Sequence, residues 1–221
     1  MKKTSKALLL MLCAVLLVAA SVLGTMAYLT STDTVTNTFT VGKVAITLDE
    51  AKVGTDGKAL TGEKAERVDA NDYHLLPGGI YDKDPTVHIQ PKSEESYVRL
   101  LVTITNYTSA AQVLETTDSG VILLENYVDK NADWTHVAAG YKQDDAKDTA
   151  TYEFRYKNTV SNSSDTDVVN LPALFNHITI PTSLNNDQIA KLDGVKISVV
   201  AQAIQADGFA SADEAWEAFS A

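Results

Sequence analysis

The side chains that most often carry out chemistry in proteins are sparse in this chain and are not grouped. A catalytic zinc ion is often held by two histidines one helical turn apart, as in the His-Glu-x-x-His motif. That motif does not occur, and the closest two of the four histidines, His74 and His88, are 14 residues apart. The other two are His136 and His177. The sequence therefore predicts no metal ligands, and a zinc site would require histidines from distant strands.

Aspartates in polar segments offer a second kind of site, because carboxylate oxygens bind calcium. The candidates are Asp82, Asp84, Asp144, Asp145, Asp148, Asp165 and Asp167. The twelve-residue calcium loop with its central glycine and closing glutamate is absent, and acidic loops are usually only solvated. We therefore predict no cofactor, with calcium as the one candidate ion.

The signals of nucleophilic catalysis and phosphate binding are missing as well. There is no Gly-x-Ser-x-Gly motif, and the only cysteine, Cys13, lies in an apolar stretch. Pro77-Gly78-Gly79 is typical of a turn before a strand and not of a phosphate-binding loop. We therefore predict no catalytic residues and no enzymatic activity. The formal net charge of −11 also argues against nucleic acid as a partner.

Residues 1–27 have the order of a secretory signal peptide. Three lysines give a positive start, and residues 7–23 are apolar and carry no charge. Small residues, Thr25 and Ala27, occupy the positions that a signal peptidase inspects, so we predict cleavage before Tyr28. An uncleaved anchor is the alternative, although the apolar run is at the short end for a membrane-spanning helix.

Cleavage would leave an acidic chain without a thiol. Because the only cysteine leaves with the signal peptide, no disulfide can form and stability must come from packing. The loss of three lysines changes the net charge from −11 to −14. We therefore expect a secreted, extracellular or cell-surface protein with no stable membrane anchor after cleavage.

Apolar residues alternate with polar ones in several short runs, which is the pattern of half-buried strands. These sets are Val87/Ile89, Val98/Leu100/Val102/Ile104, Tyr152/Phe154/Tyr156, Ile178/Ile180 and Val195/Ile197/Val199/Ala201/Ala203. With a first strand over residues 43–48, six or more strands are predicted. Residues 43–221 therefore read as an all-β, jelly-roll-like antiparallel sandwich.

Two short helices are predicted beside the strands. Ser211 and Glu214 form a capping box that opens one of them, and Trp216 is expected to pin the C-terminus onto the sandwich. The second spans residues 186–192 and ends before Gly194. Polar loops are predicted over residues 52–72, 144–148 and 161–167, the first with a turn at Asp56-Gly57.

The apolar pattern changes phase just after the predicted cleavage site. Val35, Phe39 and Val41 occupy odd positions, whereas the apolar residues from Val44 onward occupy even positions. One regular strand cannot keep both sets on one face. The change favours a bulged edge strand when taken by itself. It also suits a donor strand that leaves its own domain and completes the sheet of another copy.

Two stretches near the cleavage site are Gly24-Thr25-Met26-Ala27-Tyr28-Leu29-Thr30 and Asn37-Thr38-Phe39-Thr40-Val41-Gly42-Lys43-Val44. They resemble the TasA/camelysin-like exported proteins of Gram-positive bacteria. Further similar segments are Leu76-Pro77-Gly78-Gly79, Asp84-Pro85-Thr86-Val87, Ser96-Tyr97-Val98-Arg99 and Ala201–Phe209. The chain departs from the fibre-forming members at Tyr28-Leu29, where they carry Ala-Phe, and in the loops at 52–72 and 143–167.

The resemblance implies a jelly-roll subunit that polymerises by donor-strand exchange into the extracellular fibres of a biofilm matrix. Residues 28–42 would then be the donor-strand segment, with Val35, Phe39 and Val41 as its inserted anchors, and residues 43–48 would be the domain's own first strand. A SipW-type signal peptidase would act during export. The other partners would be further copies of the chain or related matrix subunits.

Two functions of other classes stay open at this point. Camelysin-like relatives are described as metalloproteases, so a secreted metalloendopeptidase is one alternative. The other is a monomeric surface adhesin or binding module. Proteolysis that is sensitive to chelators would mark the first, and a chain that stays monomeric at high concentration would mark the second.

Overall fold

The computed structural model describes residues 43–219, which form mainly antiparallel β-structure with three short α-helices. The predicted all-β fold with short helices is confirmed at this level. The strands are β1 (Ile46–Ala51), β2 (Arg67–Val68), β3 (Ile80–Asp82), β4 (Thr86–Ile89), β5 (Ser93–Thr105), β6 (Trp134–Asp144), β7 (Thr149–Tyr156), β8 (Val160–Asn162), β9 (Val169–Asn170), β10 (His177–Thr179) and β11 (Ile197–Gln205). The helices are α1 (Tyr107–Ala111), α2 (Asn186–Ala190) and α3 (Ala212–Phe219), with 3-10 turns at Gly62–Lys64 and Leu124–Asn126.

The strands form two larger sheets and one small one. The first has the order β2-β1-β4-β9, and the second has the order β11-β5-β7-β6 with β8 also paired to β5. β3 and β10 make a separate pair. The chain passes from the first larger sheet to the second between β4 and β5, through a turn in which Lys92 has a positive φ of 58°.

The long strand β5 is the centre of the second sheet. It pairs with β11 over nine residues and with β7 over seven, without a register break in either ladder. Its inward side chains, Val98, Leu100, Val102 and Ile104, are all buried. The alternation predicted for this strand is confirmed, because one face of β5 lies against the core.

Both larger sheets contribute to one hydrophobic core. Val87 and Ile89 of β4 belong to the same buried cluster as the inward side chains of β5 and β7, and the half-buried inward side chains of β11 pack against this cluster. Trp134 at the start of β6 is fully buried, and its indole N–H donates to the Pro172 carbonyl at 2.9 Å. The polar edge of this large side chain is therefore satisfied inside the core.

The C-terminal helix α3 closes over the outer face of the second sheet. Ser211 Oγ accepts the Glu214 N–H at 3.3 Å, as the capping box predicts, but Glu214 Oε2 accepts the N–H of Ala210. Trp216 is only 2% exposed, and the guanidinium of Arg99 lies 4.2 Å from its ring centroid. The expected anchoring role of Trp216 is consistent with this packing.

Several element boundaries differ from those predicted. β1 begins at Ile46 and not at residue 43, and the Lys43 carbonyl instead accepts from Glu94 N–H beside the β4–β5 turn. α2 ends at Ala190, two residues early, and α1 had no clear sequence signal. Asn162 lies in a stretch predicted to be a polar loop, yet it ends β8, is buried and donates to the Ile89 carbonyl at 2.9 Å.

Candidate site for strand addition

The residues that the sequence singles out for processing and polymerisation lie outside the described residues. This holds for the signal peptide (1–27), its cleavage residues Thr25, Ala27 and Tyr28, and the donor segment (28–42). It also holds for the anchors Val35, Phe39 and Val41. A donor strand needs an acceptor, however, and the acceptor would belong to residues 43–219. Such an acceptor is a sheet edge whose backbone groups are not paired with another strand.

β11 offers such an edge. It is the terminal strand of the second sheet and pairs with β5 on one side only, since no other strand within residues 43–219 pairs with it. We call its outer side the β11 edge and define it as residues Ile197–Gln205. The predicted last long run of apolar alternation is this strand, but its terminal position in the sheet could not be read from the sequence.

The direction of each backbone group on β11 follows from its flanking hydrogen bonds. Thr105 N–H donates to the Lys196 carbonyl at 3.0 Å, and Ala206 N–H donates to the Glu95 carbonyl at 2.8 Å. Even-numbered residues of this unbroken ladder therefore face β5. The odd-numbered residues point their N–H and C=O groups to the outer side, and they are Ile197, Val199, Ala201, Ala203 and Gln205.

The sequence of β11 lacks the features that protect many edges against strand addition. Proteins usually blunt an edge with charges, proline, a bulge or a very short strand. The nine residues of β11 contain no charged residue and no proline, and their register is unbroken. By contrast, the opposite terminal strand β6 has a register break between Val137 and Lys142, and β2 and β9 have two residues each.

The core is less well covered beside the β11 edge than at the centre of the sheet. Four inward side chains of β11 are half-buried, whereas those of β5 are fully buried. The four are Ile197, Val199, Ala201 and Ala203. Ile46 and Leu48 of the nearby strand β1 are also half-buried. An extended segment laid along β11 would therefore find apolar side chains to cover as well as backbone groups to pair.

The outward face of β11 is partly held by neighbouring side chains. Gln202 Oε1 accepts from Arg99 Nε at 2.8 Å, whereas Val200 is 51% exposed. The strand is therefore fixed on its β5 side and on part of its outer face. Its open side is the backbone edge itself, which is where an added strand binds.

The histidines do not converge on a metal site in the described structure. His88 lies between Asp49 (2.8 Å) and Asn170 (2.7 Å) on the outer face of the first sheet. His136 and His177 each contact a separate carboxylate, those of Glu125 and Asp129. Within residues 43–219 no group of three or more His, Cys, Asp or Glu side chains is placed to hold a metal ion.

The aspartates considered for calcium are each engaged with a protein donor. Asp84, for example, accepts from Arg67 NH1 and from the Ala51 N–H, both at 2.6 Å. Asp148 accepts from Thr108 Oγ1 at 2.6 Å and from the backbone N–H of Thr108 at 2.8 Å. The partners of the others are Lys58 for Asp82, Lys147 for Asp144, Gln143 for Asp145, Lys92 for Asp165 and Thr166 for Asp167.

Asp49 is expected to make stability depend on acid pH. Burial works against its charge, but hydrogen bonds from His88 and Arg67 outweigh this and hold the pKa of Asp49 below its usual value of 3.8. A depressed carboxyl pKa stabilises the fold above the unfolded-state value, and the gain is lost as pH falls through the folded-state value. We expect Asp49→Asn to lower the urea-unfolding free energy at about pH 6, with the deficit shrinking below about pH 4. A deficit that stayed constant across this range would contradict the assignment.

The described residues contain no helix long and apolar enough to cross a membrane. Comparison with family models, with curated proteins and with solved structures finds no match to the chain.

Proposed function

We propose that this chain is a secreted structural subunit, with a jelly-roll-like sandwich over residues 43–221, that assembles into extracellular matrix fibres by donor-strand exchange. Residues 28–42 are the donor segment, and the β11 edge of the next copy is the acceptor. The single observation that carries the proposal is the long, uncharged, unbroken β11 edge beside half-buried core side chains. Export depends on a SipW-type signal peptidase that cuts before Tyr28.

The donor segment matches this edge in length and pattern. Residues 28–41 are longer than the nine residues of β11. Val35, Phe39 and Val41 are separated by even numbers of residues, so in an extended strand they lie on one face. That face would cover the half-buried apolar side of β11, and the odd-numbered backbone groups of β11 would pair with the donor.

The apolar contacts favour such an association. Burying the three anchor side chains contributes roughly 4.5–9 kcal/mol, at about 1.5–3 kcal/mol each, and this offsets part of the entropy cost of association. The contact joins two different surfaces of the same chain. A head-to-tail contact of that kind does not close on itself unless its rotation allows a ring, and it therefore grows a filament.

Ala201→Pro tests the acceptor edge. Residue 201 points its N–H away from β5, so proline removes a donor from the β11 edge without removing a bond of the β5 ladder. We expect a folded chain that no longer forms fibres, as judged by circular dichroism and electron microscopy of protein starting at Tyr28. Ala201→Ser keeps the N–H and is the matched control, which should assemble like the parent.

The outcomes separate the proposal from its alternatives. Fibres of normal yield from folded Ala201→Pro protein would exclude the β11 edge as the acceptor. Parent protein that stays monomeric at high concentration would point to an adhesin or binding module. Casein cleavage lost with a chelator would point to a metalloendopeptidase.

A further inference from the structure

A buried lysine and a buried glutamate meet a half-buried asparagine at the end of the first sheet. Glu50 on β1 is 4% exposed, and Lys83, which directly follows β3, is 7% exposed. Asn71 comes from the polar stretch predicted as a loop, and it lies between them and the backbone of β1. Fully buried lysine and glutamate are rare without a partner, and here each is the partner of the other.

One carboxylate holds the amine and the carboxamide side by side. Glu50 Oε2 forms an ion pair with Lys83 Nζ. Glu50 Oε1 accepts from Asn71 Nδ2 at 2.9 Å. Because the two oxygens belong to one carboxyl group, the lysine nitrogen and the asparagine carboxamide both lie next to the same carboxylate.

The asparagine carboxamide is oriented and polarised by its remaining hydrogen bonds. Its Nδ2 also donates to the Ala51 carbonyl at 2.8 Å, and its Oδ1 accepts from the Val53 N–H at 2.9 Å. The nitrogen therefore faces two acceptors and the oxygen faces a donor, which fixes the orientation of the amide. A hydrogen bond to Oδ1 withdraws electrons from Cγ and would stabilise negative charge on that oxygen.

Glu50 and Lys83 are both buried, and the half-buried Tyr73 lies beside them, which suits a neutral reaction partner. The ring of Tyr73 lies 6.0 Å from Lys83 Nζ, and its hydroxyl donates to the Asp82 carbonyl at 2.9 Å. Burial and the negative charge of Glu50 raise the pKa of Tyr73. In a site of low polarity, proton transfer from the lysine to the glutamate removes both charges.

We propose that Lys83 Nζ and Asn71 Cγ form an intramolecular isopeptide bond, with Glu50 as the proton carrier. Glu50 takes a proton from the lysine ammonium, and the neutral amine attacks Cγ. The Val53 N–H binds the oxyanion. Glu50 returns this proton to Nδ2, which leaves as ammonia, and then takes the second proton that Nζ must lose, so that Glu50 ends protonated and neutral. The new bond is Nζ–Cγ, the broken bond is Cγ–Nδ2, and the product is one amide and one ammonia, with no change of oxidation state.

Such a bond would serve a chain that cannot form a disulfide. Cys13 is the only cysteine, and it lies in the predicted signal peptide. The isopeptide bond would fasten the segment between residues 71 and 83, which carries the Pro77-Gly78-Gly79 turn, and a covalent cross-link restricts the unfolded chain. The inference does not depend on fibre formation.

The mass of the protein tests the proposal directly. We expect purified protein to be lighter than its sequence requires by one ammonia, about 17 Da, in mass spectrometry under denaturing conditions. Chymotrypsin cuts after Tyr73 and so separates residues 71 and 83. The digest should then contain two peptides, one with Asn71 and one with Lys83, that are joined by the isopeptide bond. A full sequence mass would overturn the proposal.

Two variants separate the cross-link from other losses of ammonia. Lys83→Arg keeps the buried positive charge but has no amine to attack, so the mass deficit should disappear while circular dichroism reports a folded chain. A deficit that persists in this variant would mean cyclisation of an asparagine on its own backbone and would overturn the proposal. Lys58→Met removes an exposed lysine that pairs with Asp82, and it should keep the deficit.

Discussion

Deletion of residues 28–41 is expected to abolish fibre formation and to leave a folded monomer. Under donor-strand exchange these residues supply the inserted strand, whereas every strand of the described fold lies between residues 46 and 205. The shortened chain keeps its own sheets and core and loses only what it would give to a neighbour. Electron microscopy and sedimentation should report no polymer, and circular dichroism should report the same β-structure.

Single substitutions refine this expectation. Phe39→Ala removes the largest predicted anchor at a cost of about 3 kcal/mol, in the range of large-to-small changes at buried sites. At about 1.4 kcal/mol per factor of ten, the critical concentration for assembly should rise roughly 100-fold. Thr38→Ala changes the neighbouring residue on the opposite face of the strand and should leave it nearly unchanged.

Mixing experiments distinguish the two ends of the contact. A chain without residues 28–41 still has the β11 edge, so it can accept a donor but cannot give one, and small amounts should cap growing fibres. Ala201→Pro protein keeps its donor and lacks the acceptor, so it should cap the opposite end. If the deletion variant itself made fibres, the donor segment would lie elsewhere and the proposed function would fail in this form.

The strands were the most predictable part of the fold. Alternation of apolar and polar residues identified β4, β5, β7 and β11, because one face of each lies against the core. The capping residue Ser211 correctly placed the start of α3. These features depend on residues that are close together in sequence, and such local patterns can be recognised in a single sequence.

The buried charges were not predictable in this way. In the alternating strands β5 and β7, Arg99 and Glu153 fall on the face opposite the apolar side chains. In the structure both are buried, at 8% and 5% exposure, because α3 places Trp216 against Arg99. The same applies to Glu50 and Asn71, whose partner Lys83 follows a later strand. Which outer face is covered depends on long-range packing, and the local pattern does not encode it.

The position of β11 at the edge of its sheet was also not predictable from the sequence. The composition of β11, with no charge and no proline, was visible in the sequence. Its significance was not, because an uncharged strand is ordinary at the centre of a sheet and unusual at its edge. The order of strands in the sheet comes from pairing between residues that are distant in sequence. It is this order that makes β11 a candidate acceptor.

Glu153→Ala is expected to lower the free energy of unfolding by about 3–5 kcal/mol, the cost of breaking a buried ion pair by removing one partner. Glu153 Oε1 accepts from Arg155 Nε at 2.5 Å, and Oε2 faces Arg99 NH1 at 3.4 Å. The backbone of Gly140 also closes over the carboxylate, since a Cβ there would lie 2.5 Å from Oε2. Alanine would leave Arg99 buried beneath α3 without its carboxylate. Urea unfolding followed by circular dichroism measures the loss.

The loss of unfolding free energy in Glu153→Ala depends on the burial of the Glu153 side chain. A matched substitution of an exposed glutamate tests this dependence. Glu125→Ala also removes a glutamate that contacts a basic side chain, His136 at 3.0 Å, but the Glu125 side chain is 43% exposed. Its loss should cost less than about 1 kcal/mol. Because Arg99 also holds Gln202 of β11, Glu153→Ala should loosen the β11 edge and reduce fibre yield as well as stability. If both substitutions lowered the free energy of unfolding by the same amount, the Arg99 charge would have another partner. The contact between α3 and the second sheet would then stabilise the fold through packing only.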